Sequence, residues 1–346
     1  MRLHALQYLR ALAALAVVYS HAVLQVDAYA PHLVEFGGFG VDVFFVISGF
    51  IMVWIAKPGD TPRRFLANRI RRVVPLYWFF TLLMALILVL LPELFKRSTF
   101  AWDTFLLSLA FVPHESAAHP GWLWPIVAPG WSLNYEMYFY LLFALSLVLP
   151  AAWRVGGAIA LLTGVTLVSR AFGEHSEIAR FYGEGMVFEF VLGMLLAVAW
   201  QRGLRLPSWL AALMLVLGTA LLLAHLPLPR LLAFGFPSLL VVAGAVYIAL
   251  PVRRWGVLLG DASYALYLSH LFTLGVLRVS LPPLLGEGAV AAWAFVAISL
   301  VVCTLVSVIV HVGIDGWLLR VERLAWLRRP GRPGTGGSVV PREREA

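Results

Sequence analysis

Charge is the scarcest property of this sequence: only 13% of its 346 residues are Asp, Glu, Lys or Arg, against about a quarter in soluble domains. No stretch between its apolar segments leaves room for a water-soluble domain. Lysine is nearly missing, with Lys57 and Lys96 the only two, so the formal charge of +8 rests on 24 arginines. Cysteine occurs once, at Cys303, which excludes an internal disulfide and a cysteine-based metal site and leaves a small buried hydrophobe in mid-helix. No internal repeat is visible, which argues against a secondary carrier built from duplicated halves.

In place of charge there is apolarity: 61% of the residues are hydrophobic and the mean hydropathy is +0.88. Stretches of about 20 apolar residues, at roughly 1.5 Å each, cross a hydrocarbon core of about 30 Å. The sequence therefore predicts an all-α polytopic membrane protein, with ten transmembrane helices near 5–26, 38–56, 74–95, 130–150, 156–170, 184–200, 207–225, 231–250, 256–278 and 289–314. Residues 100–112 are too short to cross and read as an interfacial or re-entrant piece. Of the 26 basic residues, nineteen fall in segments on one side of these spans and six on the other, so the positive-inside bias predicts both termini in the cytoplasm. Residues 1–320 form the transmembrane domain, and 321–346, rich in Pro, Gly and charge, read as a largely disordered cytoplasmic tail. Ala28-Tyr29-Ala30 resembles a signal-peptidase site, but the apolar run before it is too long for a signal peptide and carries Arg10 in its first half.

An ionisable side chain inside an apolar helix costs about 2.5–3.5 kcal/mol on insertion scales, which makes each one a functional candidate. In LQYLRALAALAVVYSHA, Arg10 and His21 stand 11 residues apart; at about 100° per residue they share one helix face at two depths, roughly 16 Å apart. Arg10, near the cytoplasmic end, could also simply snorkel, and His21, in the outer half, could merely glue two helices. GVDVFFVISGF puts Asp42 at the outer end of the second span, level with His21, and Ser48 deeper. A carboxylate beside an imidazole fixes its tautomer and raises its basicity; the structural alternative for Asp42 is a helix cap. PGWSLNYEMYFY places Glu136 about two turns into the fourth span. Ser132 lacks the second glycine of a nucleophile elbow and reads as a helix start, and Trp131 and Tyr135 suit an aromatic belt. In PRRFLANRIRRVVP, Arg69 and Arg72 lie three apart on one helix turn; their guanidinium forks suit phosphate, although arginines here also set topology. Glu189, Asp261, His270, His311 and Asp315 fit an enclosed site less clearly, and Asp261 reads as a helix cap. His114-Glu115 with His119 has one residue too many for H-E-x-x-H, so no metal site is expected.

Taken in order, these motifs resemble the membrane-bound acyltransferase 3 family, in particular its exopolysaccharide-production (ExoZ-like) O-acetyltransferases. The resemblance covers about residues 5 to 320 and rests on six segments: L-R-A-x-A-A-x-x-V-x-x-S-H with Arg10 and His21, GVDVFFVISGF with Asp42 and Ser48, the Arg69/Arg72 pair before Pro75, PGWSLNYEMYFY with Glu136, EFVLG with Glu189, and GDASYALYLSH with Tyr264 and His270. It implies about ten membrane helices in a bacterial inner membrane. It also implies transfer of an acyl group, usually acetyl from acetyl-CoA, to a hydroxyl of a sugar or glycolipid. By the same likeness Arg10 and His21 carry the family's essential arginine and histidine, and the R-x-x-R pair handles CoA.

The expected site therefore has His21 as general base with Asp42 and Glu136 as its carboxylates, and Arg10, Arg69 and Arg72 as contacts for the acyl-CoA substrate; nucleic acid is not an expected partner. Two positions depart from the family pattern: Gln7 stands where an acidic residue is common, and Asp315 where a glutamate is common. With no appended SGNH-type hydrolase domain, the acceptor is expected to be reached by the membrane domain itself. The rival reading is a transporter or flippase, with Arg10 and His21 lining a path for a glycan or an anion.

Overall fold

The computed structural model describes residues 4–26, 33–95, 98–116, 118–248, 250–286 and 288–317; the Ala28-Tyr29-Ala30 site, Lys96, Arg97 and the tail 321–346 lie outside them. Among the described residues the chain is helical, with one isolated β-bridge between Ser116 and His119 and no strand. The α-helices are α1 (His4–Val26), α2 (Gly40–Ile55), α3 (Pro62–Leu90), α4 (Trp102–Leu109), α5 (Gly130–Ser146), α6 (Arg154–Phe172), α7 (Glu177–Tyr182), α8 (Val187–Gln201), α9 (Ser208–Leu223), α10 (Phe236–Tyr247), α11 (Arg254–Ser280), α12 (Pro282–Leu285) and α13 (Ala289–Val310). π-Helical turns at Leu231–Gly235 and His311–Asp315 flank α10 and α13.

Each of the ten apolar segments overlaps a helix. Five helical stretches are long and apolar enough to cross a membrane, namely His4–Val26, Pro62–Leu90, Ala151–Phe172, Glu177–Gln201 and Ala289–Ile314; Gly40–Ile55, Ser208–Leu223 and Leu231–Tyr247 are apolar but shorter. Two boundaries differ from the sequence reading for local reasons. α3 begins at Pro62, well before residue 74, because Thr61 accepts the Arg64 amide (3.3 Å) and a proline occupies the first helical position. All five arginines ahead of Pro75 therefore lie within α3, Arg69 and Arg72 on one turn as expected. α11 begins at Arg254, so Asp261 lies two turns inside the helix and caps nothing.

Cross-helix bonds gather the basic loops at one end of the bundle. Arg154 donates to the carbonyls of Lys57 and Pro58 (2.8 Å each), Gln201 donates to Val53 (3.3 Å), and the Tyr8 hydroxyl bonds the Pro251 carbonyl and the Arg253 amide. Glycines set the closest helix contacts. A Cβ at Gly49 would stand 2.1 Å from the Phe190 carbonyl oxygen and one at Gly193 2.0 Å from that of Val46, so α2 and α8 touch backbone to backbone.

Two helices start far inside the bundle. Gly37 and Gly40 lie against the Ala16 and Ala13 carbonyls, where a Cβ would come within 2.1 and 2.3 Å; α2 therefore begins halfway along α1. The segment before it is pinned down by Tyr19, which stacks on Phe36 (4.1 Å) and donates to the Val34 carbonyl (3.2 Å), and by Ser20, which donates to Glu35. α5 likewise begins at mid-height, with Gly130 against Tyr77 in the middle of α3. The short α4 dips to the same level, the Tyr77 hydroxyl donating to Ser108 (3.1 Å) and the Trp78 indole to Leu109 (2.9 Å). At about 12 Å for eight residues it cannot cross, and it docks against the middle of α3.

Candidate active site

Four of the six residues singled out in the sequence come together toward the basic end. Glu136 on α5 accepts hydrogen bonds from the Ser48 hydroxyl on α2 (2.9 Å) and from the Tyr140 hydroxyl one turn on. The charged groups whose fields act on Arg10 are Arg72, Asp261 and Glu136, joined by the Tyr140 phenol; Arg69 acts on Tyr140 in turn. The Arg10 guanidinium also donates to the Gln7 side-chain oxygen (3.4 Å). At this departure from the family pattern an amide stays as acceptor while Asp261 and Glu136 bring the negative charge. Arg69 lies over the Phe65 ring (6.0 Å) with its Nε buried and unbonded. Its remaining guanidinium edge is what an anionic ligand would use.

His21 stands apart from this cluster, nearer the end where α1 finishes. Its Nδ1 lies 2.9 Å from the Val17 carbonyl oxygen, which can only accept; hydrogen bonding thus assigns the proton to Nδ1 and leaves Nε2 as a free lone pair. Its ring packs against that of His270 on α11, with centroids 4.9 Å apart at 58°. The carboxylate acting on His21 is Glu35, which the Ser20 hydroxyl bonds.

Asp42 is not level with His21, as the sequence suggested. Because α2 starts beside Ala13 and Ala16, Asp42 sits at least five residues of helix rise below His21, on the order of 8 Å or more. It is 1% exposed and forms an ion pair with Arg230 (2.8 and 3.0 Å), and Glu189, fully buried, lies beside it. Neither Asp42 nor Glu136 contacts the His21 ring through a hydrogen bond among the described residues.

Between the two histidines and the inner cluster runs a line of hydroxyls. The Tyr267 hydroxyl donates to the Pro129 carbonyl (2.9 Å) and lies 2.7 Å from the Ser132 hydroxyl; its ring is 6.1 Å from that of His270 and it feels the charge of Glu136. Polar groups thus follow one another from Arg69 and Arg72, through Tyr140, Glu136 and Arg10, past Ser132 and Tyr267, to His270, His21 and Glu35. Sequence reasoning missed Glu35 and Arg230. The available signals were a lone carboxylate in a short apolar loop and a lone arginine ahead of an apolar helix. His114 and His119 lie in an irregular loop, where Glu115 accepts the Gly121 amide (2.6 Å).

Comparison with known proteins bears on the chemistry. A family model described as an acyltransferase domain (acyltransferase 3) matches residues 3–312. The chain is 36% identical over 266 residues to the exopolysaccharide production protein ExoZ of Rhizobium meliloti, an alignment covering 71% of this chain and 79% of that protein. It is 27% identical over 307 residues to the acyltransferase MdmB of Streptomyces mycarofaciens, covering 79% of each. No solved structure matches it.

Proposed function

We propose, from the premise that this chain belongs to the acyltransferase 3 family, that it carries an acyl group, acetyl in the first instance, from cytosolic acyl-CoA to a hydroxyl of a sugar or glycolipid in exopolysaccharide or a related envelope glycan. The basic end of the bundle faces the cytosol, with ten spans in a bacterial inner membrane and both termini inside. Arg69 and Arg72 take the CoA phosphates, the pantetheine arm follows the polar line past Arg10 and Glu136, and the thioester comes to rest beside His21.

His21 Nε2 then takes the proton of the acceptor hydroxyl as its oxygen bonds the thioester carbonyl carbon; the carbon–sulfur bond breaks, and the thiolate recovers the proton as free CoA. Glu35, rather than Asp42, is the carboxylate that stabilises the imidazolium. Asp42 serves instead to hold α2 through Arg230. Glu136 orders the inner cluster.

The observation that carries this reading is His21 itself. It is an imidazole with a bare Nε2, partly exposed, at one end of a line of polar groups that runs from Arg69 past Glu136 and Ser132 to Tyr267. A carrier would use such a line too, but membership in an acyltransferase family favours transfer over transport. General base catalysis typically contributes 10²–10⁴-fold. With purified protein in nanodiscs, labelled acetyl-CoA and a glycan acceptor, His21→Ala should lower transfer by at least about 10²-fold while leaving CoA binding intact. Wild-type turnover by that variant would remove His21 from the chemistry.

A further inference from the structure

The loop between α4 and α5 brings two indoles together. The rings of Trp122 and Trp124 have centroids 4.7 Å apart at 37°, and the His119 ring meets Trp124 edge-on at 5.2 Å. Trp122 is 58% exposed. An exposed indole pair on a loop is either an anchor in the membrane interface or a surface for a ligand.

This loop is built rather than slack. The Ser116 amide donates to the Trp122 carbonyl (2.9 Å), the Trp122 amide to His119 (3.1 Å) and the His119 amide to Ser116 (3.2 Å). Gly121, at φ +86°, donates its amide to Glu115 (2.6 Å). A closed turn thus holds the aromatic pair in place, at the end of the bundle away from the basic loops.

Trp124 borders a cavity of about 110 Å³ whose other walls include Ser98, Thr99, Thr104, His114 and Ser116. Among the described residues, no Asp, Glu, Lys or Arg lines it. The Thr104 hydroxyl bonds the Ala101 carbonyl (3.0 Å), and His114 Nδ1 lies 2.9 Å from the Val112 carbonyl oxygen. The Thr104 oxygen and His114 Nε2 therefore remain as acceptors, while the three serine and threonine hydroxyls can donate and accept.

That lining decides between ligand classes. A phosphate or other charged headgroup would find no counter-charge among these walls, and an interfacial anchor needs no polar cavity beside its ring. A neutral pyranose satisfies both surfaces. One face presents C–H bonds of positive partial charge, which pack on the negative π face of an indole, and its rim presents hydroxyls. The cavity also adjoins the histidine end. Its wall at Ala128 is one residue from Pro129, whose carbonyl takes the Tyr267 hydroxyl (2.9 Å). The Tyr267 ring is 6.1 Å from that of His270, which is 4.9 Å from that of His21.

Resting on the reading of this chain as an acyltransferase acting on glycans, we propose that the cavity beside Trp124, extended by Trp122, is the acceptor subsite and holds a neutral pyranose unit of the glycan. Donor and acceptor then enter from opposite ends of the bundle.

The test uses the full chain in nanodiscs with acetyl-CoA and surface glycan of the source bacterium, freed of ester-linked acyl groups by mild alkali. Trp124→Leu keeps an apolar side chain without a π face, whereas Trp124→Phe keeps a π face. Leu should raise KM for the glycan about tenfold and Phe about threefold or less, with KM for acetyl-CoA as in wild type. Saturation-transfer NMR without acetyl-CoA reads the contact directly. Ring C–H protons of the glycan should take up magnetisation from wild type and from His21→Ala, and lose most of it in Trp124→Leu. Equal behaviour of Leu and Phe overturns the proposal and assigns Trp124 to an apolar anchor in the membrane interface. If melting temperatures show the Trp124 variants to be misfolded, the same contrast at Trp122 decides. The two readings fail separately. Tryptophan-dependent glycan binding without acyl transfer defeats the transferase reading alone, and acyl transfer indifferent to Leu or Phe defeats only the inference about this cavity.

Discussion

At the scale of single residues, the donor end of the proposed site rests on Arg69 and Arg72, which share a helix face at i and i+3. A hydrogen bond to a charged group contributes roughly 1.5–3 kcal/mol, so Arg69→Ala or Arg72→Ala should raise KM for acetyl-CoA by about 10- to 100-fold. Acetyl-pantetheine, which lacks the nucleotide phosphates, should lose nothing; an equal loss for both donors would place the arginines elsewhere in the cycle. These residues were legible in the sequence because charge is anomalous in or beside an apolar helix. Arg10, His21 and Glu136 stood out for the same reason. What could not be read was pairing. His21 and His270 come from opposite ends of the chain, and nothing in either local pattern says that α1 and α11 run side by side with these two rings in contact. Glu35 stayed hidden because a carboxylate in a loop costs nothing and so attracts no notice.

At the scale of elements, Asp42 shows how a correct element can still mislead. Its helix was located to within two residues, yet its height was wrong, because helix order says nothing about how deep the preceding loop descends. Gly37 and Gly40 allow that loop to lie on the α1 backbone, and the start of α2 sinks with it. Asp42 then meets Arg230, at the head of the π-helical turn Leu231–Gly235, instead of His21. Removing one partner of a buried ion pair costs roughly 3–5 kcal/mol; because the Arg230 side chain is 39% exposed, Arg230→Ala should fall at or below the lower end of that range. Adding Asp42→Asn to Arg230→Ala should recover part of the lost melting temperature, since the stranded charge is then gone. Additive losses in the double variant would deny the coupling.

At the scale of the whole molecule, the arrangement of basic loops makes orientation testable. Cys303 is buried, so a Cys303→Ser background supplies a cysteine-free protein for labelling. Single cysteines in place of Gly59 and Gly203 should react only with a reagent that enters the cytosol, and one in place of Gly121 should react from outside intact cells. Labelling of Gly59→Cys from outside would invert the molecule. The set of helices was readable because apolar runs of this length can be little else. How they pack was not, since glycine contacts such as Gly49 on Phe190 and Gly193 on Val46 depend on partners far along the chain.

The sunken starts of α2 and α5 carry one more consequence. A helix of 16 or 17 residues rises only about 24–26 Å, less than a hydrocarbon core of about 30 Å. The depth above these helices is occupied by irregular chain with a carboxylate at Glu35, and backbone of that kind persists at membrane depth only where protein or water satisfies it. On the proposed reading, the exposed Glu35 keeps the histidine end open to water, and a thioester brought to His21 would meet solvent as well as a glycan. Discrimination between a sugar hydroxyl and water would then have to come from how the acceptor is held against the proposed base.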